Sequence, residues 1–181
     1  AMYLNDKLFE RVKTVFNSPE KDQLTTEQQM VLKHYYNSFV RGGANLSPEK
    51  KERLKAINSE LAVLSLKFGD NQLKETNAYK LVIDNKKDLS GLPEGVVAAA
   101  ADAAKEAGME GKWVFTLHNP SIMPFLQYAD NRDLREQIYK AYINRGSNKN
   151  ANNNWDNISK MVSLRAEKAH LLGFPDYASY V

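Results

Sequence analysis

Ser47-Pro48-Glu49-Lys50-Lys51-Glu52-Arg53-Leu54-Lys55-Ala56-Ile57-Asn58-Ser59-Glu60-Leu61-Ala62-Val63-Leu64-Ser65-Leu66-Lys67-Phe68 is the stretch that decides the fold class. It opens with an N-cap serine, a proline at the first helical position and an acid in the first turn, three start signals that agree. Leu54, Ile57, Leu61, Leu64 and Phe68 then recur in steps of three and four, the spacing of a helix that packs nearly parallel or antiparallel to its neighbours. The mixed-sign run Glu49 to Lys55 falls on the opposite, solvated face.

Upstream, Leu4, Leu8, Val12 and Val15 predict an amphipathic helix over 4–16, stopped by Asn17-Ser18-Pro19. Thr25-Thr26-Glu27-Gln28 has the capping-box form and precedes a stripe of Leu32, Tyr35 and Phe39, which Arg41-Gly42-Gly43 ends. Downstream the period changes. Tyr79 to Asp84 and Lys112 to Leu117 are short β-branched and aromatic runs that read as two strands, with an alanine-rich helix from Pro93 to Gly108 between them. Strand direction is open at this point. Ser121 to Ala129 predicts a short helix broken by Pro124, and Leu134, Ile138 and Tyr142 a further helix ended by Gly146. Asparagine-rich 147–154 predicts a loop with caps. A last full helix over about 155–172 places Trp155, Ile158, Val162, Ala169 and Leu172 inward. The expectation is therefore a mainly α chain, a helical array of about six to seven helices in one domain over 1–181, with a small two-stranded β insert near residues 79–84 and 112–117.

At 181 residues the chain can bury roughly 70% of its unfolded surface and fold without staples. It has no cysteine, which excludes disulfides, thiolate metal sites and cysteine nucleophiles. Lys and Arg total 25 against 22 Asp and Glu, too balanced for a nucleic-acid binder. Charge arrives within the first residues, so neither a secretory signal nor a membrane span is expected there. Gly173 to Val181 reads as a helix stop followed by a new start of about one turn, too short to stand alone. A longer parent chain is the expectation.

Few groupings suggest chemistry. Glu167-Lys168-Ala169-His170 has the one-turn Glu-x-x-His spacing of di-iron bundles, but such a site needs a second copy and two more glutamates, so a surface ion pair is expected instead. His34, beside Tyr35 and Tyr36, reads as a half-buried structural histidine. His118, at the end of the second strand beside Asn119-Pro120, is the one residue expected to face a cleft. The 181 residues contain no phosphate-cradling glycine loop, G-x-S-x-G elbow or H-E-x-x-H motif. Asn157-Ile158-Ser159 matches a glycosylation sequon inside a predicted helix.

Several blocks in collinear order carry a resemblance. Leu164-Arg165-Ala166-Glu167-Lys168-Ala169-His170-Leu171-Leu172-Gly173-Phe174-Pro175-Asp176-Tyr177-Ala178-Ser179-Tyr180-Val181 resembles the L-R-x-x-x-A-x-L-L-G-F/Y-x-x-Y-A-x-Y-V block of the thimet oligopeptidase and peptidyl-dipeptidase family of zinc metallopeptidases. Phe39 to Leu46 resembles that family's F-x-R-x-G-A-x-L, and Leu61 to Phe68 its L-x-x-L-x-x-x-F. Lys112 to Leu117, Pro120, Pro124-Phe125-Leu126 and Tyr139 to Gly146 resemble the bacterial dipeptidyl-carboxypeptidase branch.

The resemblance implies a longer parent that hydrolyses short peptides with a zinc held by an H-E-x-x-H helix and a downstream glutamate, and that releases dipeptides from C-termini. This chain would be one helical wall of the substrate channel. It would carry no catalytic residue, bind no cofactor or metal itself, and have no activity alone. Its partners would be short peptides and the catalytic domain of the same chain, with no nucleic acid and no membrane. The parent would sit in the cytoplasm by default, unless a signal peptide lies upstream. Apolar surface that normally meets the catalytic half would favour self-association. A different class of reading is a free-standing helical interaction module, with residues 96–107 and the seam from Leu54 to Phe68 as its surfaces.

Overall fold

The computed structural model describes residues 2–181, the side chain of Leu4 excepted. Eight α-helices and two strands are present among them: α1 (Asp6–Asn17), α2 (Thr26–Arg41), α3 (Pro48–Ala78), β1 (Leu81–Ile83), α4 (Glu94–Glu106), β2 (Trp113–Phe115), α5 (Asn119–Tyr128), α6 (Arg132–Ile143), α7 (Trp155–Leu171) and the single turn α8 (Tyr177–Tyr180). The mainly α architecture with a small sheet is as the periodicity predicts. The chain divides into two compact units, residues up to Leu64 together with Lys160–Val181, and Ser65–Ser159.

In the first unit, Asn5 caps α1 through Oδ1, which accepts from the Leu8 amide at 3.1 Å. The predicted capping box forms at α2: Thr25 Oγ1 accepts from the Gln28 amide and Gln28 Oε1 from the Thr25 amide. Phe39 is buried as its spacing predicts, but other positions of the two stripes turn outward. Leu8, Val15 and Tyr35 are exposed, and the core is aromatic. Phe9 lies 5.6 Å from Phe39 and 6.0 Å from Tyr36, Phe16 stacks on Tyr36 at 3.8 Å, and Tyr3 meets Phe39 edge-on. A ring buries more area than a valine and gains from its quadrupole, so the aromatic register wins. Gly43, at φ +95°, admits Leu54 so closely that a Cβ there would stand 2.5 Å from its Cδ2. Leu54 and Ile57 are fully buried, as their spacing predicts.

The C-terminal turn α8 is short but not isolated. Asp176 caps it, with Oδ1 accepting from the Ser179 amide at 2.7 Å. The Arg41 guanidinium lies over the Phe174 and Tyr180 rings and donates to the Tyr180 carbonyl, while Lys168 sits over Tyr180 and donates to Asn58 Oδ1. Burial lowers the Lys168 ammonium below its ordinary value. The two blocks at 39–46 and 164–181 therefore meet each other, and most of their residues serve packing.

In the second unit β1 and β2 pair antiparallel, Leu81 opposite Phe115 and Ile83 opposite Trp113, which settles the strand direction. α4 lies on β2 and buries Ala100 and Ala104, so the alanine face is occupied. Phe115 and Phe125, ring centroids 4.5 Å apart, form the core with Ile122, Leu117 and Ile138. Pro124 does not break α5, contrary to the expectation. It removes the hydrogen bond to the Pro120 carbonyl, one bond near the helix start, and the fully buried Ile122 and Phe125 on either side hold the turn in place.

α3 continues to Ala78 on polar inward residues, Asn71, Glu75 and Thr76, where hydropathy loses its signal. α7 departs from expectation in its first half for the same reason, while Ala169 is buried as expected. Trp155, Ile158 and Val162 are exposed, and Asn157, Leu164 and Ala169 are its buried positions.

Candidate functional site

Glu75 is the one buried carboxylate among the described residues, 8% exposed on the inner face of α3. The loop after α6 closes over it. Its Oε2 accepts from the Gly146 amide at 2.6 Å and Asn148 Nδ2 at 2.8 Å, and Oε1 accepts from Asn150 Nδ2 at 2.6 Å. Burial alone would raise this carboxyl, but the N–H donors outweigh it and leave the group below its ordinary value. Gly146 reaches the carboxylate at φ +74°, with Asn154 so near that a Cβ would stand 2.7 Å from its Nδ2. Asn154, 1% exposed, completes the clamp: Nδ2 donates to the Phe68 carbonyl, and Oδ1 accepts from Asn71 at 2.9 Å and Asn157 at 3.3 Å. This cluster fastens the loop to the helix. It contains one acid and no nucleophile.

An open cleft of about 340 Å³ lies in the same unit, lined by Gly69, Gln72, Leu73, Thr76, Leu117, His118, Asn119 and Arg145. His118 is the N-cap residue of α5 and exposed. Its Nε2 is 3.1 Å from Asn77 Oδ1 and its Nδ1 3.1 Å from Thr116 Oγ1. With the Asn77 carbonyl oxygen accepting, Nε2 carries the proton and Nδ1 accepts from the Thr116 hydroxyl. Both ring nitrogens are thereby engaged, which orients the ring and withholds it from a serine or water. Arg145 is fixed beside it. Its Nε donates to the Tyr142 carbonyl at 2.9 Å, Nη1 to Thr76 Oγ1 at 2.9 Å, and its guanidinium lies 3.8 Å from the Tyr142 ring centroid. The lining side chains offer several donors and no carboxylate.

The remaining histidines are placed differently from expectation. His34 is exposed rather than half-buried, its ring edge-on to Tyr35 at 5.6 Å, because the aromatic core takes the other face of α2. The ion pair at Glu167 forms with Arg53, not with His170: Nε and Nη2 reach the two carboxylate oxygens at 2.6 Å each, holding Glu167 below the usual carboxylate range. His170 Nε2 donates to the Pro175 carbonyl at 2.8 Å. The Glu-x-x-His pair is thus committed twice over to protein partners. No group of three His, Cys, Asp or Glu stands together among the described residues, so this chain's side chains do not fit a catalytic zinc. The sequon residue Asn157 is buried inside α7.

Residues 125–181 match Peptidase family M3. Beyond that span, the chain is 35% identical over 179 residues to the dipeptidyl carboxypeptidase of Escherichia coli, covering 99% of this chain and 26% of the relative. It is 35% identical over 177 residues to a probable cytosolic oligopeptidase A of Arabidopsis thaliana, covering 94% and 25%, and 36% identical over 165 residues to oligopeptidase A of Haemophilus influenzae, covering 89% and 24%. Identity does not separate the dipeptidyl-carboxypeptidase branch from the oligopeptidase A branch. The chain spans about a quarter of the length of these relatives. No helix among the described residues is long and apolar enough to cross a membrane. Similarity to named oligopeptidases is thus collinear over nearly the whole chain, and the match to Peptidase family M3 runs through its last helices.

Proposed function

We propose that this chain is the non-catalytic helical portion of a zinc-dependent oligopeptidase that releases dipeptides from the C-termini of short peptides. The observation that carries the reading is coverage: similarity runs along 89–99% of the chain but only 24–26% of the relatives. The 181 residues also contain no H-E-x-x-H motif. In this reading the helices form one wall of a channel that admits short peptides, and the zinc and its acid–base machinery belong to the remainder of the protein. The cytosol is its location, in keeping with the word cytosolic in one relative's name, although another Arabidopsis thaliana relative is named chloroplastic/mitochondrial.

The test is to incubate the full-length protein with a short peptide and follow products by mass spectrometry. Stepwise loss of C-terminal dipeptides, abolished by a chelator, is expected. Internal cleavage would move the protein to the oligopeptidase A mode, and no chelator-sensitive hydrolysis would defeat the reading. Self-association of this chain belongs to the same proposal, because Val63, Leu66, Trp155 and Val162 are exposed apolar side chains. Light scattering should show mass rising with concentration, and a constant monomer would contradict it.

A further inference from the structure

Lys168, on α7, is set apart from the other lysines of the first unit by its surroundings. It is half-buried, its ammonium 5.4 Å from the Tyr180 ring centroid and donating to a neutral amide oxygen, Asn58 Oδ1, at 2.9 Å. Lys51 has a side chain only 15% exposed, but it pairs with the Asp6 carboxylate, and Lys13 and Lys55 pair with Glu10 and Glu52. Lys168 has no carboxylate within ion-pair distance among the described residues. Glu167, beside it in sequence, is held by Arg53, and Asp176 caps α8. The charged groups that share its aromatic turn are cations: Arg41 lies 5.2 Å from the Tyr180 centroid and Arg165 5.4 Å from that of Tyr177, both exposed. An amine partly withdrawn from water, near other cations and with no carboxylate to hold its proton, is the setting in which lysine becomes a nucleophile. Burial lowers this ammonium below its ordinary value.

We propose that Lys168 is a modification site for acyl donors of the acyl phosphate class, and that its acylation loosens the docking of α8. The ε-amine attacks the acyl carbonyl carbon and a C–N bond forms. The bond from that carbon to the phosphate oxygen breaks, phosphate leaves with the electron pair, and the surplus proton of the amine goes to water. The exposed guanidiniums of Arg41 and Arg165 favour the approach of an anionic donor. The product amide carries no charge to place over Tyr180 and one N–H where the ammonium had three. Residues 174–181 then keep Arg41 and the Asp176 cap but lose the charge that ties Tyr180 to Asn58 through Lys168. The site does not depend on the peptidase reading.

The test is to incubate this chain with acetyl phosphate at mildly alkaline pH and follow the acetylation of each lysine by peptide mapping in a mass spectrometer. Lys168 should react at least about threefold faster than the exposed Lys33 and Lys67. A lowered ammonium offers more free amine, and its weaker nucleophilicity offsets that excess only in part. Asn58→Asp, isosteric and at an exposed position, supplies the missing carboxylate and should slow Lys168 by about threefold or more without disturbing the fold. For the consequence, Lys168→Gln stands in for the acylated state. It should speed hydrogen exchange at the Ser179 and Val181 amides, which bond within α8, by about threefold or more. The acetylated chain should match it, whereas Lys168→Arg, which keeps the charge, should stay within about twofold of the unmodified chain. A Lys168 rate no greater than those of Lys33 and Lys67, or one indifferent to Asn58→Asp, would overturn the proposal. So would unchanged exchange in Lys168→Gln, or exchange in Lys168→Arg as fast as in Lys168→Gln.

Discussion

Glu75 and Glu167 are both helical glutamates with every oxygen hydrogen-bonded, yet they do different work. Glu75 is buried and held by neutral donors of a loop more than seventy positions away, at 2.6 to 2.8 Å. Glu167 is exposed, its side chain 43% accessible, and shares two 2.6 Å bonds with an equally exposed Arg53. The surface pair looks stronger on paper, since it joins full opposite charges. Water and salt compete for both of its partners, however, and long side chains lose rotamer freedom in meeting. Glu75 is only 8% exposed, so little water competes for the carboxylate, and removing it strands the Gly146 amide and leaves the asparagine donors to find new partners.

The largest expected effect follows. Glu75→Ala should cost about 3 kcal/mol in urea unfolding and expose the 144–154 loop to hydrogen exchange, whereas a loss below about 1 kcal/mol would mean that the clamp contributes little. The next is a pH effect. The folded Glu75 carboxyl titrates below its ordinary value of 4.5, so the unfolded chain takes up the proton first. Its stabilising contribution is complete above that ordinary value and is lost as pH falls through the lowered folded value. Glu75→Gln should flatten this part of the stability profile; an unchanged acid slope in the variant would show that another group is responsible. The smallest effect is at the surface pair. Arg53→Ala should shift the unfolding midpoint only slightly and the shift should vanish in high salt; a salt-independent loss as large as that of Glu75→Ala would erase the distinction between the two glutamates.

The same contrast explains what can be read from sequence. α3 is legible because Ser47-Pro48-Glu49 marks its start and Leu54 and Ile57 keep helical spacing into the core. The two strands are legible from β-branched and aromatic runs, and their direction is not, since either pairing suits a crossover of that length. Where the inward face is polar, hydropathy points the wrong way: on α7 it selects Trp155, Ile158 and Val162, while Asn154 and Asn157 turn inward to meet Asn71 and one another. On α1 the spacing selects aliphatics and on α2 Leu32, Tyr35 and Phe39, although the rings of Phe9, Phe16 and Tyr36 help decide the register. His118 can be picked out because it ends an apolar strand beside Asn119-Pro120. Its companions cannot, because Asn77 lies 41 positions away and Arg145 reaches Thr76 across 69. No local pattern reports such distances. Family similarity does reach across the chain, and residues such as Arg41, Phe39 and Tyr180 that carry it prove to be packing residues.

The most direct measurement is hydrolysis of a short quenched peptide by this 181-residue chain alone, with and without added zinc. If the chain is the non-catalytic portion of a zinc oligopeptidase, as proposed, it should give no turnover above buffer in either condition. Turnover that depends on zinc and disappears with a chelator would place the catalytic machinery within these residues and contradict the assignment.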